Sequence, residues 1–166
     1  MTPDPRPKRG LKKKRNLNKS EIENRTRPSS DDPHEIVYFQ RHEDDDPNKS
    51  LPAEDFLLSN CPKSVKDNLR AVLVAVAKAP PKRFAGGGKW EVMRDNMKGW
   101  YEARADGPGR THYRLYCRFD YDAPGETKPL LVVVTGMKKP FKTEFTDNDY
   151  AKVRALGTEY FAHRSD

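Results

Sequence analysis

The 166-residue chain has no apolar run long enough to cross a bilayer. Its longest apolar stretches, residues 71–77 and 130–134, fall far short of the about 20 residues that a spanning helix needs. The first thirty residues lack the apolar segment of a secretory leader, so the expected compartment is the cytoplasm, with no membrane partner. Cysteine is scarce. Cys61 and Cys117 are too few for a disulfide framework and have no metal-ligand spacing, so each reads as a small hydrophobe. His34, His42, His112 and His163 are scattered along the chain, and no His/Cys cluster predicts a metal or other cofactor. There is no Ser/His/Asp order and no paired-carboxylate signal. Apolar residues make up 34% of the chain, too few to bury all of it, which favours one domain plus a polar tail.

Charge is abundant and unevenly placed. Residues 1–30 hold ten Lys+Arg against three acids, which accounts for the whole net charge of +7. The remaining 22 bases and 22 acids cancel, but in blocks. Residues 31–80 carry 6 bases and 10 acids, residues 81–142 carry 13 and 7, and residues 143–166 carry 3 and 5. Pro-rich and nearly devoid of apolar side chains, residues 1–34 read as a disordered basic tail ahead of a domain at 35–166. The basic run at 8–15 suits either a polyanion-binding arm or a merely solvated tail.

Within the domain, residues 35–41 are β-branched and aromatic, as in a strand. Residues 52–60 read as a short helix. Ser59 or Asn60 is placed to cap a second helix with Pro62 in its first turn, running to about Lys78 on Val65, Leu69, Val72, Leu73 and Val76 and stopped by Pro80-Pro81. The Gly-rich stretch 83–89 lacks the Gly-Lys-Ser/Thr of a phosphate loop and reads better as a connector. A short strand at 90–93 precedes two longer ones, 98–105 and 111–120, around a five-residue turn. Residues 130–135 should form an interior strand buried on both faces. Thr146 and Asp149 make a capping-box start for a last helix whose apolar side is Tyr150, Val153, Leu156 and Tyr160. The expected fold is α+β: a small antiparallel sheet, a helical hairpin and a C-terminal helix, with the helices on one sheet face.

The strand 111–120 alternates two sets. Tyr113, Leu115, Cys117 and Phe119 point one way; His112, Arg114, Tyr116 and Arg118 point the other. A five-residue turn would set Arg104 opposite His112, Glu102 opposite Arg114 and Trp100 opposite Tyr116. One solvent-facing side would then mix cations and aromatics, which suits unpaired RNA. A plain cross-strand ion pair between Glu102 and Arg114 is the simpler alternative. Lys138, Lys139 and Lys142 follow the apolar strand and add a cationic edge.

These residues together, Lys98-Gly99 to Glu102-x-Arg104, His112-Tyr113-Arg114-Leu115, the apolar strand, Gly136 and Lys138-Lys139-x-x-Lys142-Thr143, resemble RelE/HigB-type toxins of toxin–antitoxin systems, particularly their phage-derived Gp49-like branch. The resemblance covers roughly residues 52–162, and the order of elements fits that family's α+β fold. It implies metal-free cleavage of messenger RNA, usually on the ribosome. A 2′-OH attacks the adjacent phosphate, and a cognate antitoxin, commonly of helix-turn-helix type, neutralises the enzyme. It implies a phosphate-stabilising role for Arg114 and a second phosphate contact or acid role for Lys142; Arg104 and His112 are candidates because they share the face of Arg114, and His112 could supply acid–base chemistry that the family pattern does not require. It implies substrate contacts from Lys98, Trp100, Tyr116, Arg118, Lys138 and Lys139. Some members carry a glutamate base where this chain has Asp95-Asn96. The family also contains gyrase poisons and members without nuclease activity, so a non-catalytic binding protein is the alternative.

Overall fold

A computed structural model describes residues 27–81 and 88–165. The basic run at 8–15 and most of the Gly-rich stretch at 83–89 lie outside the described residues. Five strands form one sheet in the order β1-β5-β4-β3-β2: β1 (Glu35–Tyr38), β2 (Trp90–Val92), β3 (Trp100–Gly107), β4 (Thr111–Asp120) and β5 (Leu130–Pro140). Three helices accompany them: α1 (Pro52–Asn60), α2 (Lys63–Lys78) and α3 (Asp147–His163). The class is α+β, but the sheet is mixed, because β1 runs parallel to β5 while the other pairs are antiparallel. Among the described residues, no helix is long and apolar enough to cross a membrane.

Local sequence explains most of these elements. α1 begins at Pro52, whose ring supplies a helical φ and whose missing N–H is not needed in the first turn; Glu54 and Asp55 then face the helix's positive end. α2 buries Val65, Leu69, Val72, Leu73 and Val76 along one side. Its N-cap is Pro62 and makes no side-chain cap, so Ser59 and Asn60 serve as the last turn of α1 instead of capping α2. α3 opens on the expected capping box: Thr146 accepts from the Asp149 N–H, and Asp149 accepts from the Thr146 N–H.

β5 is buried on both faces, and it divides the interior in two. Leu131 and Val133 join Phe56, Leu57, Leu69, Leu73, Leu115 and Cys117 beneath α1 and α2. Val132 and Val134 join Phe39, Met97, Trp100, Tyr116 and Val153 beneath α3. The three helices therefore do not share a sheet face. The long apolar strand has two sides to cover, and the Tyr150–Val153–Leu156–Tyr160 side of α3 covers the second. The domain also starts ahead of residue 35: Asp32 and His34 are buried, and Lys78 pairs with Asp32 at 3.0 Å. Burial pushes the Cys61 thiol up to about 11 and raises Cys117 further, as befits inert hydrophobes.

α3 approaches β3 closely at Gly157, where an added Cβ would collide with the Trp100 ring. Gly157→Ala should therefore destabilise the domain by about 1–3 kcal/mol, as overpacking does, even though alanine is the better helix former. Urea unfolding followed by tryptophan fluorescence checks this; an unchanged midpoint would mean that the α3–sheet contact yields freely.

Candidate functional site

The turn between β3 and β4 is shorter than its sequence suggests. β3 continues through Asp106 and Gly107, so only Pro108, Gly109 and Arg110 connect the strands. The register shifts by two, placing Arg104 opposite Arg114, Asp106 opposite His112, Glu102 opposite Tyr116 and Trp100 opposite Arg118. A shift of two leaves every side chain on its expected face, so the alternation survives while each cross-strand pair changes.

That face is not open. α3 and residues 141–146 cover its middle. Tyr116 is fully buried, its hydroxyl has no partner, and burial raises its pKa. Arg114, expected to face solvent, is 8% exposed. Its Nη1 donates to the carbonyls of Tyr113 (2.9 Å) and Ala105 (3.4 Å) and lies 3.5 Å from Asp106 Oδ1. Arg104 is also engaged: Nε donates to Glu102 at 2.7 Å, and Nη1 meets Glu91 at 3.1 Å. Burial alone would lower the Arg104 pKa, but the two carboxylates outweigh it and hold the guanidinium above its ordinary range.

Strand alternation sends the two adjacent lysines of β5 to opposite faces, and a bulge opposite Tyr116/Cys117 decides which lysine takes which face. Lys139 turns toward α3, pairs with Asp149 at 2.6 Å and lies over the Phe145 ring. Lys138 is exposed on the α1 side, where its charge acts on Cys61. The expected cationic edge is therefore split.

At the turn end, His112 stands at the surface with 28% of its side chain exposed. Its Nδ1 donates to Asp106 Oδ1 at 2.7 Å, its ring lies 4.5 Å from that of Phe141, and Arg114 Nη2 is 3.4 Å away. The bond from His112 holds the Asp106 carboxyl below its ordinary range. Beside it, the Phe141 N–H donates to the Arg110 carbonyl at 2.7 Å, which ties the turn to the segment after β5. Arg110 (φ 54°) and Lys142 (φ 66°) are both exposed and both in the left-handed region, which bulky residues adopt only when their surroundings enforce it. Neither forms an ion pair with another described residue. The arrangement offers one accessible imidazole, oriented by a carboxylate, beside two uncompensated cations. Arg110 escaped the sequence reading because turns are ordinarily read for conformation alone; its neighbourhood to Lys142 depends on the Phe141–Arg110 bond.

The remaining residues lie elsewhere. Lys98, Trp100 and Arg118 gather at the opposite end of β3 and β4. Arg118 is six positions from His112 along β4, or about 20 Å. Asp95, exposed in a short 3-10 helix (Asp95–Met97), is at that far end and cannot serve a reaction at His112. The fold also unites two of the scattered histidines. His42 and His163 stack at 4.0 Å, and their ring nitrogens lie with Asp44 within 4.8 Å of one another, a set that could hold a metal ion. It is remote in sequence from the turn and is built from the loop after β1 and the end of α3.

The Lys139–Asp149 pair holds the Asp149 carboxyl down, at about 2. A depressed carboxyl stabilises the fold above its unfolded pKa, near 3.9, and loses that contribution as pH falls toward 2. Asp149→Asn should therefore flatten the loss of stability between about pH 4 and pH 2 relative to the parent chain, with little change in that slope at neutral pH. Denaturant midpoints across that range check it; parallel acid limbs would show that Lys139 gains nothing from its partner.

Comparison with known proteins adds no relative: no protein-family model, curated protein or solved structure matches this chain.

Proposed function

We propose that this chain is a RelE/HigB-like toxin that cleaves ribosome-associated messenger RNA by metal-free attack of a 2′-OH, and that a small antitoxin, of helix-turn-helix type, neutralises it. The observation that supports this best is the His112 imidazole, bonded to Asp106 and standing beside the uncompensated Arg110 and Lys142. Asp106 occupies Nδ1, which leaves Nε2 for proton transfer. In the proposed step, Nε2 takes the 2′-OH proton as the oxygen attacks the adjacent phosphorus. The bond to the 5′-oxygen breaks, and that oxygen takes a proton from Lys142 or from the imidazolium. The products are a 2′,3′-cyclic phosphate and a 5′-OH. Arg110 and Lys142 offset the charge that builds on the phosphorane. Arg114, buried and hydrogen-bonded to backbone carbonyls, is a positioning residue in this scheme and not the phosphate clamp that the resemblance implies.

The same burial of Arg114 favours the alternative, a non-catalytic binding protein with this surface as its docking face, because an arginine paired internally is withheld from a substrate. Cleavage assays decide between them. His112→Ala should lower single-turnover cleavage of single-stranded or ribosome-bound RNA by roughly 10²–10⁴-fold. Lys142→Ala should slow cleavage with only a small loss of binding. Full activity in His112→Ala would remove the proposed site, and no cleavage by the parent chain would leave the binding reading.

The basic segment contributes separately. Deleting residues 1–26 should flatten the dependence of RNA affinity on salt, by about 0.7 units of log K per log salt for each lost single-strand phosphate contact, while cleavage of saturating substrate stays unchanged. Loss of saturated cleavage on deletion would make the segment part of the active site.

A further inference from the structure

At the end of the sheet opposite His112, Lys98, Arg118 and Arg154 line a cavity of about 510 Å³, between the short 3-10 helix, the start of β3 and α3. Among the described residues no carboxylate lines it; Asn96 and Thr158 supply neutral polar groups instead. Arg118 is its centre. The guanidinium carbon lies 5.3 Å from the Trp100 ring centroid and 4.9 Å from that of Phe161, so two aromatic walls fix its plane. Its Nε is buried and has no hydrogen-bond partner among the described residues. Burial presses its pKa down, partly opposed by Asp120. Asp120 does not neutralise it, because that carboxylate already accepts from Arg164 at 2.5 Å and Tyr160 at 2.8 Å.

The other two cations are equally uncompensated. Among the described residues, the Arg154 side chain donates only to the Met97 sulfur, at 3.6 Å, a weak acceptor, and Lys98 is exposed. Gly99, at φ 91°, presents bare backbone to Arg118: a Cβ there would stand 3.4 Å from Nη2. Three positive groups around one hollow repel one another, and an arrangement of this kind is stabilised by an anion that accepts from all of them. The volume lies in the range of small-molecule sites and exceeds what a bare phosphate fills.

We infer that this cavity is a phosphate-binding site, in which Lys98, Arg118 and Arg154 receive the phosphate group of a nucleotide. The site is separate from the proposed reaction centre and stands whether or not the chain cleaves RNA. Arginine supplies planar paired donors and lysine a point charge, a combination suited to a tetrahedral oxyanion.

The test is an NMR titration of the full chain with inorganic phosphate and, in a second arm, adenosine 5′-monophosphate. Saturable shifts should be confined to the backbone amides of residues 96–100, 118 and 154–162. Tighter binding of the nucleotide supports the assignment; equal binding of both would overturn the nucleotide as the source of the phosphate. Lys98→Ala and Arg154→Ala, both at the rim, should each weaken binding about tenfold or more without changing the melting temperature of the free protein. Arg118→Lys keeps the charge but loses the planar fork and should also weaken binding. Non-saturating shifts spread over the surface lysines, or unchanged affinity in the Lys98→Ala, Arg154→Ala double variant, would overturn the assignment.

Discussion

β5 lies at the middle of the sheet with apolar side chains on both faces, and each layer of the domain is held through it. Leu131 and Val133 anchor the α1–α2 layer, Val132 and Val134 anchor α3, and the backbone carries β1 on one side and β4 on the other. Water is excluded from both faces only while both helical layers are seated. The bulge opposite Tyr116 and Cys117 is part of the same constraint. It changes the parity of β5 at the edge of the core, so Lys139 and not Lys138 falls on the α3 side where the apolar strand ends.

This geometry turns a basic composition into two kinds of charge. Arg104, Arg114 and Lys139 lie near the core, and each has a carboxylate within 3.5 Å. They hold the sheet face and the α3 start together. Arg110, Lys142, Lys98, Arg118 and Arg154 stand at the two ends of the long strands, without such partners among the described residues. Buried charge demands a partner and exposed charge does not, which sorts these cations with one exception: Arg118, half-buried, keeps an Nε without a partner among the described residues.

The sequence carried the periodic features well: the heptad-like apolar side of α2, the two-residue alternation of β4, the continuous apolar run of β5 and the capping box of α3. What it could not carry depends on contacts between distant elements. Alternation tells which residues share a face, but not whether a helix covers that face, so Arg114 and Tyr116 read as accessible when α3 and its leading loop bury them. The β3–β4 register hung on where the turn closes, and Asp106-Gly107 is as good a turn pair as a strand end. The parallel placement of β1 leaves no local signature at all. His42 and His163, 121 positions apart in sequence, meet only because the loop after β1 reaches the end of α3. Of the candidate site, His112 and Lys142 were legible as chemistry-bearing residues, whereas Arg110 became visible through a backbone hydrogen bond.

The parallel pairing of β1 with β5 joins residues about a hundred positions apart, and Arg41 bonds Glu159 across 118 positions. On a chain emerging from a ribosome, the first strand has no sheet neighbour until the last strand has been made. Its own hydrogen-bonding groups and the apolar underside of α1 and α2 wait, incompletely covered, until β5 has been made. Closure of the sheet is therefore tied to its fifth strand and not to its first. A chain of this topology reaches its finished surface, turn end and cationic hollow included, only after β5 and α3 have followed the other elements into place.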